Sequence, residues 1–245
     1  MNKISIIGAG TMGHSIALTV AWHNIPAHIY AIDVKEVERA TESILKKIDT
    51  LVQSDLLSKK ESNQLLCNID FTTSLDDCVK GTDFIIEAVP ENLMIKKGLY
   101  RLIESIIPKD IPIASNTSGI PTSTLSLEMV NPKRFIITHF WNPAHLIPLV
   151  EVVPGEETSK ETVEKTMEML KRLNKKAVLV KKEVPGFIGN RLQFALFREA
   201  QYLLSEGVAS KEDIDLSVTH SIGRRLPITG PLMSADFTGL DVANA

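Results

Sequence analysis

Cysteine is scarce in this chain: Cys67 and Cys78 are the only two in 245 residues. A single pair cannot staple a chain of this length, so a disulfide-built secreted scaffold is excluded and both are read as reduced, structural thiols. Long apolar runs are missing as well. No stretch of about 18 apolar residues occurs, and the amino end, "MNKISIIGAG", is too short in apolar residues for the core of a signal peptide. A cytoplasmic protein without membrane contact is expected. Nor is positive charge in excess: 27 Lys and Arg stand against 30 Asp and Glu, a net charge of −3. Without a basic field, nucleic acid and anionic lipid are poor partners, and a small molecule is the expected one. Aromatic residues make up only 5%, yet 44% of the chain is hydrophobic, which is ample for a core and argues against disorder.

What is present is alternation. Short β-branched runs at 4–7, 27–32, 83–89 and 111–115 read as strands, separated by helix-period segments such as 11–24 and 35–57. This pattern predicts a parallel sheet wrapped by helices, an α/β domain. Further strand-like runs at 134–140, 148–154 and 176–182 surround a helix from about Ser159 to Leu173, so the first domain is expected over 1–184. The segment holding the two cysteines reads as a helix running into a strand. "PGFIGNRL" then opens on a Pro-Gly turn, and 185–245 reads as a smaller all-helical domain in which Gly207 closes a helix.

Straight after the first strand, "IIGAGTMGHSIA" holds Gly8, Gly10 and Gly13 as G-x-G-x-x-G, with Thr11 and Met12 between. Glycine serves there for a tight turn, for close approach of backbone to a pyrophosphate and for packing helix on strand, with the phosphates on free N–H groups at the helix start. Three glycines alone are weak evidence. Asp33, twenty positions beyond Gly13 at the end of the second strand, adds a carboxylate placed to accept from an adenosine ribose. That carboxylate repels a 2′-phosphate, so NAD is the expected cofactor rather than NADP.

Ligands on such sheets lie at the carboxyl ends of the strands. Residues there include Glu91 and Asn92, the "SNTSG" stretch at 115–119, and His139 in "ITHFWNPAHLIPLVEVV". His139 and Glu151 are twelve positions apart and cannot share one strand face, but two strands joined by a Pro-broken loop would bring them together. A neutral imidazole is suited to take a hydroxyl proton as hydride leaves the same carbon, and a buried carboxylate on its other nitrogen fixes the tautomer and stabilises the imidazolium. The remaining histidines have no partner at metal-ligand spacing, and no metal is expected.

Six motifs, "IIGAGTMGHSIA", "EAVPENLMIKKGLY", "SNTSGIPTS", "HFWNPAHLIPLVEVV", "VPGFIGNRL" and "GPLMSADFTGLD", occur in the order and near the spacing of the 3-hydroxyacyl-CoA dehydrogenases, which the whole chain resembles. The resemblance implies a Rossmann-type NAD-binding domain followed by a helical domain for substrate and dimer contacts. It implies NAD-linked reversible oxidation of an (S)-3-hydroxyacyl-CoA to the 3-oxo compound, as in fatty acid β-oxidation. His139 and Glu151 fall on the family's catalytic dyad, Ser118 and Asn190 on its substrate-oxygen contacts. Glu91 and Lys96 fall on its nicotinamide side, and Asn116 joins the cofactor set.

Three departures lie where the family recognises substrate: Gly119 with Ile120, Trp141, and Ser234-Ala235-Asp236. Relatives acting on free hydroxy acids, such as the L-gulonate dehydrogenases that include lambda-crystallin and the carnitine dehydrogenases, are therefore an alternative, as is a non-catalytic NAD-binding protein. Lys46, Lys47, Lys59 and Lys60 are the candidates for a CoA phosphate groove. Family members continue beyond the point where this chain stops at Ala245, so an incomplete helical domain is expected.

Overall fold

The protein is described by a computed structural model covering residues 2–238. The chain separates into two compact units, Met1–Ile188 and Gly189–Ala245.

The first unit is built on one eight-stranded sheet in the order β3-β2-β1-β4-β5-β6-β7-β8. Its strands are β1 (Ile4–Ile7), β2 (Ala27–Tyr30), β3 (Ile69–Thr72), β4 (Phe84–Glu87), β5 (Ile113–Ser115), β6 (Phe135–Phe140), β7 (Leu149–Pro154) and β8 (Lys176–Leu179). β1, β4, β5 and β6 are buried at every residue, which is why they read as continuous rather than alternating apolar runs: helices cover both faces. The helices of this unit are α1 (Thr11–Trp22), α2 (Val34–Gln53), α3 (Lys59–Leu66), α4 (Leu75–Val79), α5 (Leu93–Ile106), α6 (Thr122–Ser126) and α7 (Lys160–Arg172). α1 is buried without a break from Gly13 to Ala21, whereas α2, lying outside it, buries only the stripe Ala40, Ile44, Ile48 and Leu51.

Three features differ from the sequence-based expectation. β7 runs antiparallel to β6, so the sheet is mixed rather than all parallel. Only residues 141–148 join them, too few for the crossover of a dozen or more residues that a parallel pair needs. The single helix expected over 35–57 is two, because Asp55 adopts φ +56 and Ser58 with Glu61 builds a capping box that starts α3 afresh. The cysteine segment reads only as a helix running into a strand, and the bounds of that strand, β3, are not legible: "IDFT" is a half-buried edge strand with a charged residue inside it, so it lacks an apolar run.

The second unit contains α8 (Gly189–Ser205), α9 (Lys211–His220), α10 (Ile222–Arg225) and α11 (Pro231–Thr238). α8 ends near Gly207, whose φ of +66 suits the left-handed position that follows a helix. No residue of α8 is buried, and Leu192, Leu196 and Phe197 are exposed. Asp241, within the sixth motif, lies outside the described residues. Among the described residues, no helix is long and apolar enough to cross a membrane.

Candidate active site

The strand order reverses between β1 and β4, and at that switch point the glycine turn leaves β1. Gly8 has φ +105, and a Cβ there would sit 2.8 Å from the Ala88 carbonyl oxygen. A Cβ on Gly13 would fall 1.8 Å from Gly8 O, so only glycine lets α1 pack against the turn. Gly10 differs: it faces open space, and as N-cap of α1 it brings no side chain to the first N–H groups of the helix. Those donors, including Thr11 and Met12, are left for an external acceptor, which is the cradle a pyrophosphate requires. Asp33 stands at the start of α2, where one carboxylate oxygen accepts from Glu36 N at 2.7 Å. It is therefore the helix cap as well as the ribose candidate, a role hidden in sequence because β2 ends two residues earlier than the apolar run suggests. The residues present fit NAD.

At the far side of the crevice, β6 and β7 place His139 directly opposite Glu151. His139 Nδ1 lies 2.8 Å from Glu151 Oε2, with both side chains nine-tenths buried or more. The Trp141 indole N–H donates to the same oxygen at 3.3 Å, and the Ile188 N–H donates to Oε1 at 2.8 Å. The rings of Trp141 and Phe187 lie 5.6 and 5.5 Å from the imidazole. A carboxylate oriented by several donors holds the imidazole in one plane and with its proton on Nδ1, so that Nε2 presents a lone pair.

A second carboxylate, Glu87, closes β4 at 0% exposure. Lys96 Nζ donates to its Oε1 at 2.7 Å, and Tyr100 and Ser115 each donate to Oε2 at 2.6 Å. Lys96 also reaches Glu91 at 3.3 Å, so this cation, expected toward the nicotinamide, is committed to two protein carboxylates and is 1% exposed. Burial pushes the Glu91 carboxyl up, but the Thr117 hydroxyl, the Lys96 ammonium and the Ser118 N–H together hold it below the usual range. Burial and the adjoining Glu87 push the Tyr100 phenol up, keeping it a donor. Through Glu91 the network fixes the 115–119 turn and the exposed Ser118 on it. Asn116 extends the turn toward the dyad, its Oδ1 accepting from Phe140 N at 2.9 Å.

His139 and Glu151 are thus brought together, as are Glu91, Lys96 and Ser118; Asn190 stands second in α8, in the other unit. Sequence reading does not point to Glu87, and it reaches Thr117 only within "SNTSG" and Trp141 only as a departure near substrate recognition, not as a partner of Glu151. The signal for Glu87 was available, since a carboxylate ending the apolar run "DFIIE" is the same anomaly as Glu151 within "PLVEVV".

Comparison with known proteins agrees with this geometry. The family model for the 3-hydroxyacyl-CoA dehydrogenase NAD-binding domain matches residues 3–184, and that for the family's C-terminal domain matches 186–245. The chain is 38% identical over 242 residues to 5-formyl-3-hydroxy-2-methylpyridine 4-carboxylate 5-dehydrogenase of Mesorhizobium japonicum, covering 99% of this chain and 77% of that one. It is 34% identical over 243 residues to 3-hydroxybutyryl-CoA dehydrogenase of Clostridioides difficile, covering 99% and 85%. The crystal structure of (S)-3-hydroxybutyryl-CoA dehydrogenase from Ralstonia eutropha superposes with a TM-score of 0.85 at 35% identity, covering 98% of this chain and 83% of that one. With both domains matched and an NAD-binding crevice at the switch point, the chain belongs to the 3-hydroxyacyl-CoA dehydrogenase family of NAD-dependent oxidoreductases.

Proposed function

We propose that the protein oxidises the 3-hydroxyl of an (S)-3-hydroxy acid to a ketone, with His139 as general base and Glu151 as its orienter. The observation that carries this reading is the buried 2.8 Å contact between His139 Nδ1 and Glu151 Oε2. The glycine turn and Asp33 would hold NAD, which would supply the acceptor for the hydride leaving the substrate's carbinol carbon. His139 Nε2 takes the hydroxyl proton, and Glu151 stabilises the imidazolium that forms. Ser118 and Asn190 are proposed to hydrogen-bond the reacting oxygen as charge develops on it. The glycine turn with Asp33, together with Glu91 and Asn116, is proposed to hold the cofactor, with Lys96 acting through Glu91 rather than on the cofactor itself. The first unit then carries the cofactor and the base; the second is proposed to supply a homodimer contact, a role supported by the exposed apolar residues of α8.

The sequence expectation attaches the acyl group to CoA; the free acid is the alternative adopted in this reading. Of the four lysines considered for CoA phosphates, Lys46 is paired with Glu42 at 2.6 Å, Lys59 and Lys60 lie on an exposed face, and Lys47 turns inward. The 38% relative from Mesorhizobium carries a carboxylate in its substrate's own name. A panel of free and CoA-linked (S)-3-hydroxy acids with NAD, followed by NADH absorbance, tests the reading. Turnover of free acids is expected; turnover of CoA thioesters alone would restore the thioester, and turnover of neither would refute the dehydrogenase reading.

A further inference from the structure

Four basic groups gather beside the glycine turn without an acidic partner. His14 donates from Nδ1 to the Ala9 carbonyl at 3.2 Å, since a carbonyl only accepts, and its Nε2 therefore accepts from Lys47 Nζ at 2.9 Å. Ser15 Oγ accepts from Ala144 N at 3.0 Å and donates to His145 Nδ1 at 2.9 Å, which leaves the proton of His145 on Nε2. Lys175 donates to the carbonyls of Ala144 and Ile147 at 2.5 and 2.9 Å, and so pins the loop on which His145 lies.

Among the described residues no carboxylate forms an ion pair with Lys47 or Lys175. Burial disfavours the charged form of all four, and neighbouring cations add to it at the two histidines. Burial, then Lys47, Lys175 and His14, bring the His145 imidazole down to about 4, and burial brings the Lys175 ammonium down to about 8. A half-buried cation with no counter-ion is costly, and it points to an anion that arrives from outside.

The loop that bears His145 joins the two strands of the dyad. His145 is on the loop that leaves β6 just after His139 and returns to β7 just before Glu151, so it lies at the dyad's end of the sheet. His14 lines a cleft with Gly10, Thr11, Glu36, Arg39 and Ser43 at the same edge, and the Glu36 carboxylate there accepts from Ile32 N at 2.8 Å rather than pairing with Lys47. Lys47 keeps two N–H donors and His145 one, a set that matches the two oxygens of a carboxylate.

We propose that Lys47 and His145, positioned by His14 and Ser15, bind the carboxylate of the substrate. This assignment rests on the free-acid reading given above and adds a site to it. The experiment pairs kinetics with binding. At saturating NAD, Lys47→Met and His145→Leu are expected to raise KM for (S)-3-hydroxybutyrate about tenfold, equivalent to roughly 1.4 kcal/mol. The KM for its methyl ester and the affinity for NAD should stay unchanged, and Lys47→Arg should recover much of the loss. An equal rise for acid and ester, a rise seen only with (S)-3-hydroxybutyryl-CoA, or weakened NAD binding instead would each overturn the carboxylate assignment.

The second arm needs no turnover: butyrate is titrated into protein carrying 15N-labelled histidine. A saturable shift of the His145 signal, present in wild type and absent in Lys47→Met, is expected. If butyrate shifts that signal while no hydroxy acid is oxidised, the subsite stands and the dehydrogenase reading fails. If hydroxy acids are oxidised and butyrate shifts nothing, the subsite fails alone.

Discussion

The Trp141 indole N–H donates to Glu151 Oε2 at 3.3 Å, sharing that oxygen with His139. Because the indole draws on the negative charge that would otherwise support an imidazolium, Trp141→Phe is expected to move the acidic limb of kcat/KM for oxidation to higher pH by about half a unit. The maximal kcat should change by no more than about threefold. A pH-rate profile of both proteins decides it; coincident acidic limbs would show that the indole only packs.

The dyad itself is tested by a cycle. His139→Gln should lower kcat by about two to four orders of magnitude while leaving NAD affinity nearly unchanged. Glu151→Gln should lose much of the same activity and move the acidic limb to lower pH. The double variant should be scarcely worse than His139→Gln, since the two side chains act as one unit. Fully additive losses would separate them.

The glycine turn gives a contrast between two neighbouring sites. Gly10→Ala meets no atom within 4 Å, so Tm should stay within about 1 °C of wild type while NAD affinity falls, because the added methyl occupies the phosphate's place. Gly13→Ala drives a methyl into Gly8 O and should cost about 3 kcal/mol or prevent folding. Thermal melts with and without NAD read both.

Asp33 performs two tasks that one substitution can divide. Asp33→Asn keeps an oxygen to cap α2 and should hold Tm, whereas Asp33→Ala should lose about 1 kcal/mol. Wild type should prefer NAD over NADP by about tenfold or more, and both variants should reduce that preference by removing the charge that opposes a 2′-phosphate. Fluorescence titration of both cofactors measures it.

Acid should loosen the fold through His145. Its imidazole is brought down to about 4 in the folded protein from the ordinary 6.5, chiefly through burial and then through Lys47, Lys175 and His14. As pH falls below 6.5 the unfolded chain takes up the proton first, so stability that is complete above that pH is lost on the way to 4. The ring is half exposed, and solvent screening limits the loss to about 1–2 kcal/mol. Tm of wild type should therefore fall more steeply across this window than that of His145→Gln.

The sequence carried those parts of the fold that are repetitive: apolar strand runs, helix periods, and glycine spacing at the first turn. It also raised the pairing of His139 with Glu151, because a histidine and a carboxylate inside apolar runs are anomalies, and the structure places the two side chains in contact. It failed where meaning depends on a neighbour far along the chain. Nothing local shows that Lys96 is buried against Glu87, that Lys47 rather than Lys46 turns inward, or that Ser15 holds His145 from 130 positions away. The direction of β7 was legible in principle, from the shortness of the loop before it, but an apolar run has no intrinsic sense.

That last point gives the buried Glu87 a meaning beyond strength. β1, β4 and β5 read "ISII", "FIIE" and "IAS", and to a hydrophobic core one Ile is nearly as good as the next. A strand made only of such residues could slide along its neighbours at small cost. Glu87 is satisfied at one height alone, where Lys96, Tyr100 and Ser115 converge, just as Ser5 finds the Cys78 carbonyl at 2.7 Å. These few polar marks act as addresses, fixing which residue of each strand ends at the crevice and so where its loop begins.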